Sequence, residues 1–267
     1  MVVYCGICNS AITSAVPGIK CNYCTNHFHI KGVGHRIING DPAIKGQFPW
    51  QVGLYVTTED GLWFCGGSII SEEWILTAAH CTRGGMSAQV ASGSIHLDLA
   101  TITNASTIIT HEDYRPESTA NDIGLVQLDT PLKFDENTAV ISLDKEEVAA
   151  DVPITISGWG HTHNGTTELS EVLNYVQLVT LSDSDCKGYF GDLTPPEIVC
   201  ANSATSEVNK SSYVGGQWGA AVVDAAANPV QVAMVSFISF VGCEAGTLSG
   251  YTKTTYFRDW IRSKSGI

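Results

Sequence analysis

The chain has 267 residues, a formal net charge of −13 and 44% hydrophobic residues, enough apolar material for one large packed domain or two small ones. Charged residues are only 15% of the total, which excludes a solvated, disordered chain. The acidic balance works against nonspecific binding to nucleic acid or anionic membranes, and no apolar run reaches the roughly 18 residues of a membrane span.

The first residues, Met1-Val-Val-Tyr-Cys5-Gly-Ile-Cys8, show neither a basic n-region nor an apolar h-region, so no secretory leader is visible. Cys5-Gly-Ile-Cys8 and Cys21-Asn-Tyr-Cys24 are two Cys-x-x-Cys pairs separated by 12 residues. Thiolates three apart can close on one metal, and four satisfy tetrahedral zinc. His27 and His29 follow at once. The segment Cys21–His29 resembles the first half of a PHD-type zinc finger. That family's next cysteine would fall at Gly32, and the rest of its ligand set is missing. Two readings stand. One is a single zinc held by Cys5, Cys8, Cys21 and Cys24, or by three of these with a histidine. The other is a finger fragment joined to an unrelated domain.

Beyond this segment the pattern is all-β. Short runs rich in Val, Ile, Thr and Leu occur at Gln51–Tyr55, Ser68–Ile70, Ser106–Thr110, Ile123–Gln127, Ile154–Ser157 and Gln231–Ile238, punctuated by Gly, Asn, Asp and Pro. Periodicity alone predicts a sandwich or a barrel. Only Thr254–Ser263 reads as a helix, with Tyr256, Phe257, Trp260 and Ile261 on one face and Arg258, Asp259 and Arg262 on the other. The five remaining cysteines, Cys65, Cys81, Cys186, Cys200 and Cys243, are widely spread and read as the disulfide framework of an exported protein. Asn-x-Ser/Thr triplets at Asn104, Asn164 and Asn209 lend weak support to export. The loop His161–Thr167, with two histidines, reads as plain surface.

Four motifs then fall in order: His35-Arg36-Ile37-Ile38-Asn39-Gly40, Gln47-Phe48-Pro49-Trp50, Leu76-Thr-Ala-Ala-His80-Cys81 and Asn121-Asp122-Ile123-Gly124-Leu125. Together they resemble the chymotrypsin/trypsin family of serine proteases, and the resemblance runs over the 231 residues from Ile37 to Ile267. It implies two six-stranded antiparallel barrels with a C-terminal helix, about Ile37–Leu143 and Asp144–Lys253, and a cleft between them. Residues 1–36 then form a cysteine-rich, zinc-knuckle-like segment with an activation-site linker. Cleavage after Arg36 would free the amino group of Ile37. His80 takes the place of the general base and Asp122 that of its orienting carboxylate. Cys65–Cys81 and Cys186–Cys200 are the implied disulfides. Cys243 would be unpaired, because its family partner's position holds Tyr213. Ser211 falls at the base of the specificity pocket, Ser236, Phe237 and Ile238 on one wall, and Ser249, within Gly246–Gly250, on the other. With no acid at Ser211, the inherited pocket suits aromatic or aliphatic side chains. The Val235–Phe237 wall and Gly242-Cys-Glu-Ala-Gly246 resemble the brachyurin and insect chymotrypsin branch.

The family's nucleophile motif, Gly-Asp-Ser-Gly-Gly, aligns with Gly215-Gly216-Gln217-Trp218-Gly219. The nucleophile position is therefore Gln217. A carboxamide has no hydroxyl proton for a histidine to take and is a poor nucleophile. Gly215 and residue 217 would supply the oxyanion-hole N–H groups. Gly216 stands where the family has the aspartate that receives the freed amino terminus, and Trp218 where it has glycine.

Three functions follow. The first is a catalytically inactive protease homologue, a monomeric secreted module that binds protein or peptide ligands such as protease substrates, inhibitors or cascade proteins. It needs no cofactor in the protease-like domain, and zinc enters only at the N-terminal segment. The second is an active chymotrypsin- or collagenase-like endopeptidase whose loop is obscured by a local frameshift. Gly-Gln-Trp encoded GGA CAG TGG reads GAC AGT GGG, Asp-Ser-Gly, one nucleotide later. The third is a zinc-finger protein with a degenerate protease tail.

Overall fold

The computed structural model describes residues 2–4, 11–13, 41–160, 169–191, 194–203, 218–223, 228–238 and 248–267; at 2–4, 11–13, 203, 218–223 and 237–238 it describes the backbone. The chain divides into two units, Met1–Gly34 and His35–Ile267. In the first, β1 (Val2–Tyr4) and β2 (Ala11–Thr13) pair antiparallel.

The second unit opens with the two-residue β3 (Asp41–Pro42). β4 (Gln51–Thr58), β5 (Gly61–Ile69), β6 (Trp74–Thr77), β7 (Ser87–Ser92), β8 (Thr101–Thr110) and β9 (Gly124–Leu128) then close a barrel in the order β4-β5-β6-β9-β8-β7. The period of two along a strand sends Val52, Leu54 and Val56 of β4 to the same side. All three are fully buried, in one cluster with Ile75, Val90 and Leu125. Gly67 is required where β5 passes β6, since a Cβ there would lie 2.8 Å from the Ile75 side chain and 3.0 Å from the Leu76 carbonyl.

The short β10 (Ser142–Leu143) precedes the second ring, made of β11 (Pro153–Gly158), β12 (Asn174–Thr180), β13 (Ile198–Ser203), β14 (Trp218–Val223), β15 (Val230–Ile238) and β16 (Ser249–Lys253). Its neighbours run β14-β11-β12-β13-β16-β15, and β15 pairs back onto β14. Ile154, Ile156, Val176, Leu178, Val199 and Tyr251 fill its core. Two six-stranded rings are thus present, as the motifs imply, but the division between them is not a clean cut at Leu143. β3 pairs with β12 and β10 pairs with β15, so both two-residue strands from the first stretch belong to the second barrel's sheet. The backbone groups of a segment passing from one barrel to the other need partners, and here the second sheet provides them.

The seam between the barrels carries buried polar pairs. Ser68 donates to Gln231 Oε1 at 2.6 Å and Ser157 donates to Gln51 Oε1 at 2.8 Å. Trp159, 1% exposed, sends its indole N–H to the Ile95 carbonyl at 2.9 Å. Each pair satisfies groups that would otherwise be costly to bury.

The C-terminal helix is α3 (Arg258–Ser265), entered through a 3-10 turn at Thr255–Phe257. Phe257 and Ile261 are buried in the first barrel's core cluster, with Trp260 packed against it. Tyr256 departs from the predicted stripe and is 56% exposed, because the 3-10 turn has three residues per turn and takes it off the helix's apolar face. An eight-residue helix, α2 (Asp183–Phe190), is absent from the sequence expectations. Ser182 caps it by accepting the Asp185 N–H at 3.1 Å, with Asp183 and Asp185 in the first turn.

Asp144, at the entry to the second barrel, has one oxygen accepting from Thr254 at 2.6 Å and the other buried without a partner. Burial pushes its pKa from 3.8 up to about 6, against the opposing Thr254 hydrogen bond and Arg258 charge. A raised folded-state pKa gives stability that is present below the unfolded value and lost as pH rises through the folded one. That contribution is lost between roughly pH 4 and 7. Asp144→Asn is expected to flatten that part of the stability profile, checked by urea unfolding at several pH values.

Candidate active site

α1 (Ala79–Thr82) is a single turn that follows β6 directly. β9 begins two residues after Asp122, so Asp122 and His80 leave neighbouring strands on the same side. Thr77 pairs with Gly124 in the β6–β9 register. A Cβ on Gly124 would come within 2.6 Å of Thr82 Oγ1 and 2.8 Å of Thr82 Cγ2. Gly124 therefore lets the His80 turn lie against β9. The disulfide Cys65–Cys81 ties the same turn to β5.

Asp122 is fully buried, while the His80 side chain is 28% exposed. Asp122 Oδ1 accepts the His80 backbone N–H at 2.9 Å, and Oδ2 accepts His80 Nδ1–H at 2.8 Å. Oδ2 also accepts the Ser236 hydroxyl at 2.6 Å, and the Asp122 carbonyl accepts the Thr252 hydroxyl at 3.0 Å. With Nδ1–H committed to Asp122, Nε2 of the neutral ring carries the lone pair. Burial pushes the His80 pKa down, but the charge and hydrogen bond of Asp122 outweigh it, and the net direction is up. Tyr114 lies in the same field, and burial together with the Asp122 charge pushes its pKa up to about 12. Chemically the pair can take a proton at Nε2 and hold the resulting imidazolium against a fixed carboxylate.

A cavity of about 570 Å³ opens beside His80, lined by Thr58, Glu59, Asp60, Trp63, Arg83 and Met86. Trp63 and Met86 are 57% and 63% exposed, and the Trp63 indole N–H is held by Thr58 Oγ1 at 3.1 Å. Cys65, His80 and Cys81 present ligand atoms within 4.8 Å of one another. Both sulfurs are joined in the disulfide, so this group is no metal site.

Of the expected site residues, His80 and Asp122 are brought together, and the second implied disulfide, Cys186–Cys200, is formed. Ser236, expected on a pocket wall, turns its hydroxyl to Asp122. Phe237 and Ile238 lie in β15 opposite Gly250 and Ser249 of β16, and Ser249 is buried. Arg36, Ile37, Ser211, Tyr213, Gly215, Gly216, Gln217 and Cys243 lie outside the described residues, as do Cys5, Cys8, Cys21, Cys24 and the loop His161–Thr167. Trp218 opens β14, its backbone opposite Gly158. The contribution of Thr252 escaped the sequence reading. Thr252 is 130 positions from Asp122, and no local pattern marks it.

The family profile described as Trypsin matches residues 37–261. Brachyurin from Leptuca pugilator is 34% identical over 235 residues, covering 86% of this chain and 99% of the relative. Collagenase from Hypoderma lineatum is 32% identical over 241 residues, covering 87% and 88%. A solved structure described as HL collagenase superposes with a TM-score of 0.76 at 31% identity, covering 86% of this chain and 99% of its own. Mouse-brain neuropsin, at 24% identity and a TM-score of 0.74 over 85% and 99%, shares the fold.

Asp122→Asn is expected to lower the His80 pKa below its ordinary 6.5, because burial then acts without the opposing charge. Proton NMR titration of the imidazole checks this. The stabilisation from the raised His80 pKa is present below pH 6.5 and lost as pH rises through the folded value. The variant should lose that acid-side contribution.

Proposed function

Because the chain belongs to the trypsin family of serine proteases, we propose that it acts as a non-catalytic homologue, binding protein or peptide segments in the cleft beside His80. The observation that carries this reading is Gln217 at the nucleophile position. His80 and Asp122 form a proton-accepting pair, but a carboxamide offers no hydroxyl to activate. Loss of the serine alone costs on the order of a million-fold in turnover in a well-studied serine protease. Gly216 compounds the change, since it has no carboxylate to receive the amino group that cleavage after Arg36 would free. The two disulfides support secretion. A monomer is sufficient, and the inherited pocket favours apolar side chains over basic ones.

One specific observation favours a second reading. The overlap of Gly-Gln-Trp with Asp-Ser-Gly in the neighbouring frame falls at the one place where the motif belongs. An active endopeptidase, with serine in place of Gln217, would follow from a frame correction within codons 213–220. Transcript and genomic reads across these codons decide it, and CAA for Gln217 would rule out the simple frameshift. For residues 1–36, zinc binding rests on the two Cys-x-x-Cys pairs. Elemental analysis of the purified chain separates a zinc site, at one equivalent, from a metal-free finger fragment.

The full chain is expected to bind a reactive-loop protein inhibitor of serine proteases and leave it uncleaved. It should hydrolyse no peptide or ester and take no label from a fluorophosphonate. Cleavage of the inhibitor loop, or labelling at a cleft residue, would overturn the non-catalytic reading. Restoring Gly216→Asp, Gln217→Ser and Trp218→Gly together is expected to be necessary for any activity, and tryptic nicking at Arg36 of the unmodified chain should produce none.

A further inference from the structure

We propose that Glu197 is a positioning residue for the His80–Asp122 pair: its buried carboxyl group fixes the backbone of Asn121 and thereby aims Asp122. The proposal goes beyond the functional reading above and does not depend on it, since both His80 contacts to Asp122 are made whichever residue stands at position 217.

Glu197 sits at the entry to β13 and is 4% exposed. Its Oε1 accepts the Asn121 backbone N–H at 2.9 Å. Its own carbonyl accepts the Lys253 N–H at 2.8 Å, which anchors it to the end of β16. Asn121 is one of three non-glycine residues with positive φ among the described residues, at 56°. That left-handed conformation is disfavoured for side-chain-bearing residues, though asparagine tolerates it better than most, and it persists where surrounding contacts hold it. Three hydrogen bonds engage Asn121: Glu197 accepts its N–H, its own Nδ2 donates to the Asp113 carbonyl at 3.0 Å, and its carbonyl accepts the nearby Ile123 N–H at 2.9 Å.

The placement gives these contacts a purpose. Asn121 immediately precedes Asp122, so its torsions set the direction in which the buried carboxylate leaves the chain. Three adjoining strands of the second barrel reach this dipeptide. β15 sends Ser236 to Asp122 Oδ2, β16 sends Thr252 to the Asp122 carbonyl, and the entry to β13 sends Glu197 to Asn121. Ser236 and Thr252 grip Asp122 itself. Glu197 alone of the three restrains the backbone before it.

Loss of Glu197 could act on His80 by charge as well as by position, and the two are separable. Glu197→Gln removes the charge and keeps a carbonyl oxygen for the Asn121 N–H, whereas Glu197→Ala removes both. His111 serves as an internal reporter of charge, since the Glu197 charge also acts on it. NMR titration of both histidines in the full chain and in each variant, with thermal melting to confirm folding, is the test. The expected result is a His80 pKa lowered by on the order of one unit in Glu197→Ala and nearly unchanged in Glu197→Gln, with His111 moving alike in both. A second measurement needs no variant: the Asn121 amide of the unmodified chain should be protected from hydrogen exchange. A His80 pKa that falls equally in both variants, or stays fixed in folded Glu197→Ala, overturns the proposal. So does a rapidly exchanging Asn121 amide.

Discussion

Asp122 is a carboxylate with no exposure to solvent, lying where two barrels meet, and much of the surrounding arrangement answers its demand for donors. Burying an ionised carboxylate without partners is very costly. Here His80 supplies two donors and Ser236 a third to the carboxylate oxygens, while Thr252 satisfies the adjoining carbonyl. These groups come from α1, β15 and β16, so one side chain draws elements of both barrels to a common point. Gly124 makes that convergence sterically possible by leaving room for Thr82.

The same principle governs the rest of the seam. Gln51 and Gln231 are buried amides, each accepting a serine hydroxyl from the opposite barrel. α3 adds a further link. It emerges from the second barrel's last strand, yet Phe257 and Ile261 pack into the first barrel's core. Glu112, just beyond β8, receives the Trp260 indole N–H and the Lys264 ammonium. These hydrogen bonds hold its carboxyl well below the usual range, at about 2. Closure of both rings leaves few free strand edges, and the helix and the polar cross-links fasten one ring to the other.

What the sequence made legible were features enforced locally. The segments at 76–81 and 121–125 each need several particular residues side by side: a histidine on a single turn, a disulfide beside it, and a glycine two residues after the aspartate. Strands such as Gln51–Thr58 were visible because a run of β-forming residues is bounded by turn residues. Features set by register across the sheet were not legible. Thr252 and Glu197 are isolated polar residues whose roles exist only because β16 and β13 lie beside the Asn121–Asp122 segment. The helix at Asp183–Phe190 carries a serine cap but buries only Cys186, so it lacks the apolar period that marks α3. The crossing of β3 and β10 into the second sheet is likewise a backbone event with no side-chain signature.

This difference bears on how the retained pair should be weighed. Removing Asp122 would strand three buried or half-buried donors, the His80 amide, the His80 ring N–H and the Ser236 hydroxyl, at about 1–3 kcal/mol for each unsatisfied group. A single-domain protein has only about 5–15 kcal/mol of net stability to lose. Folding alone is therefore a sufficient reason for His80 and Asp122 to persist whichever residue stands at the nucleophile position, and their geometry is not by itself a mark of catalysis. The strut at Glu197 follows the same logic, since a rigid Asn121 serves the buried carboxylate whether or not a proton is ever moved. In the non-catalytic reading proposed above, chemistry makes its separate demand at Gly216, Gln217 and Trp218, the positions aligned with the family's carboxylate, hydroxyl and small residue. On that reading, activity turns on those three positions rather than on the pair that most resembles a working site.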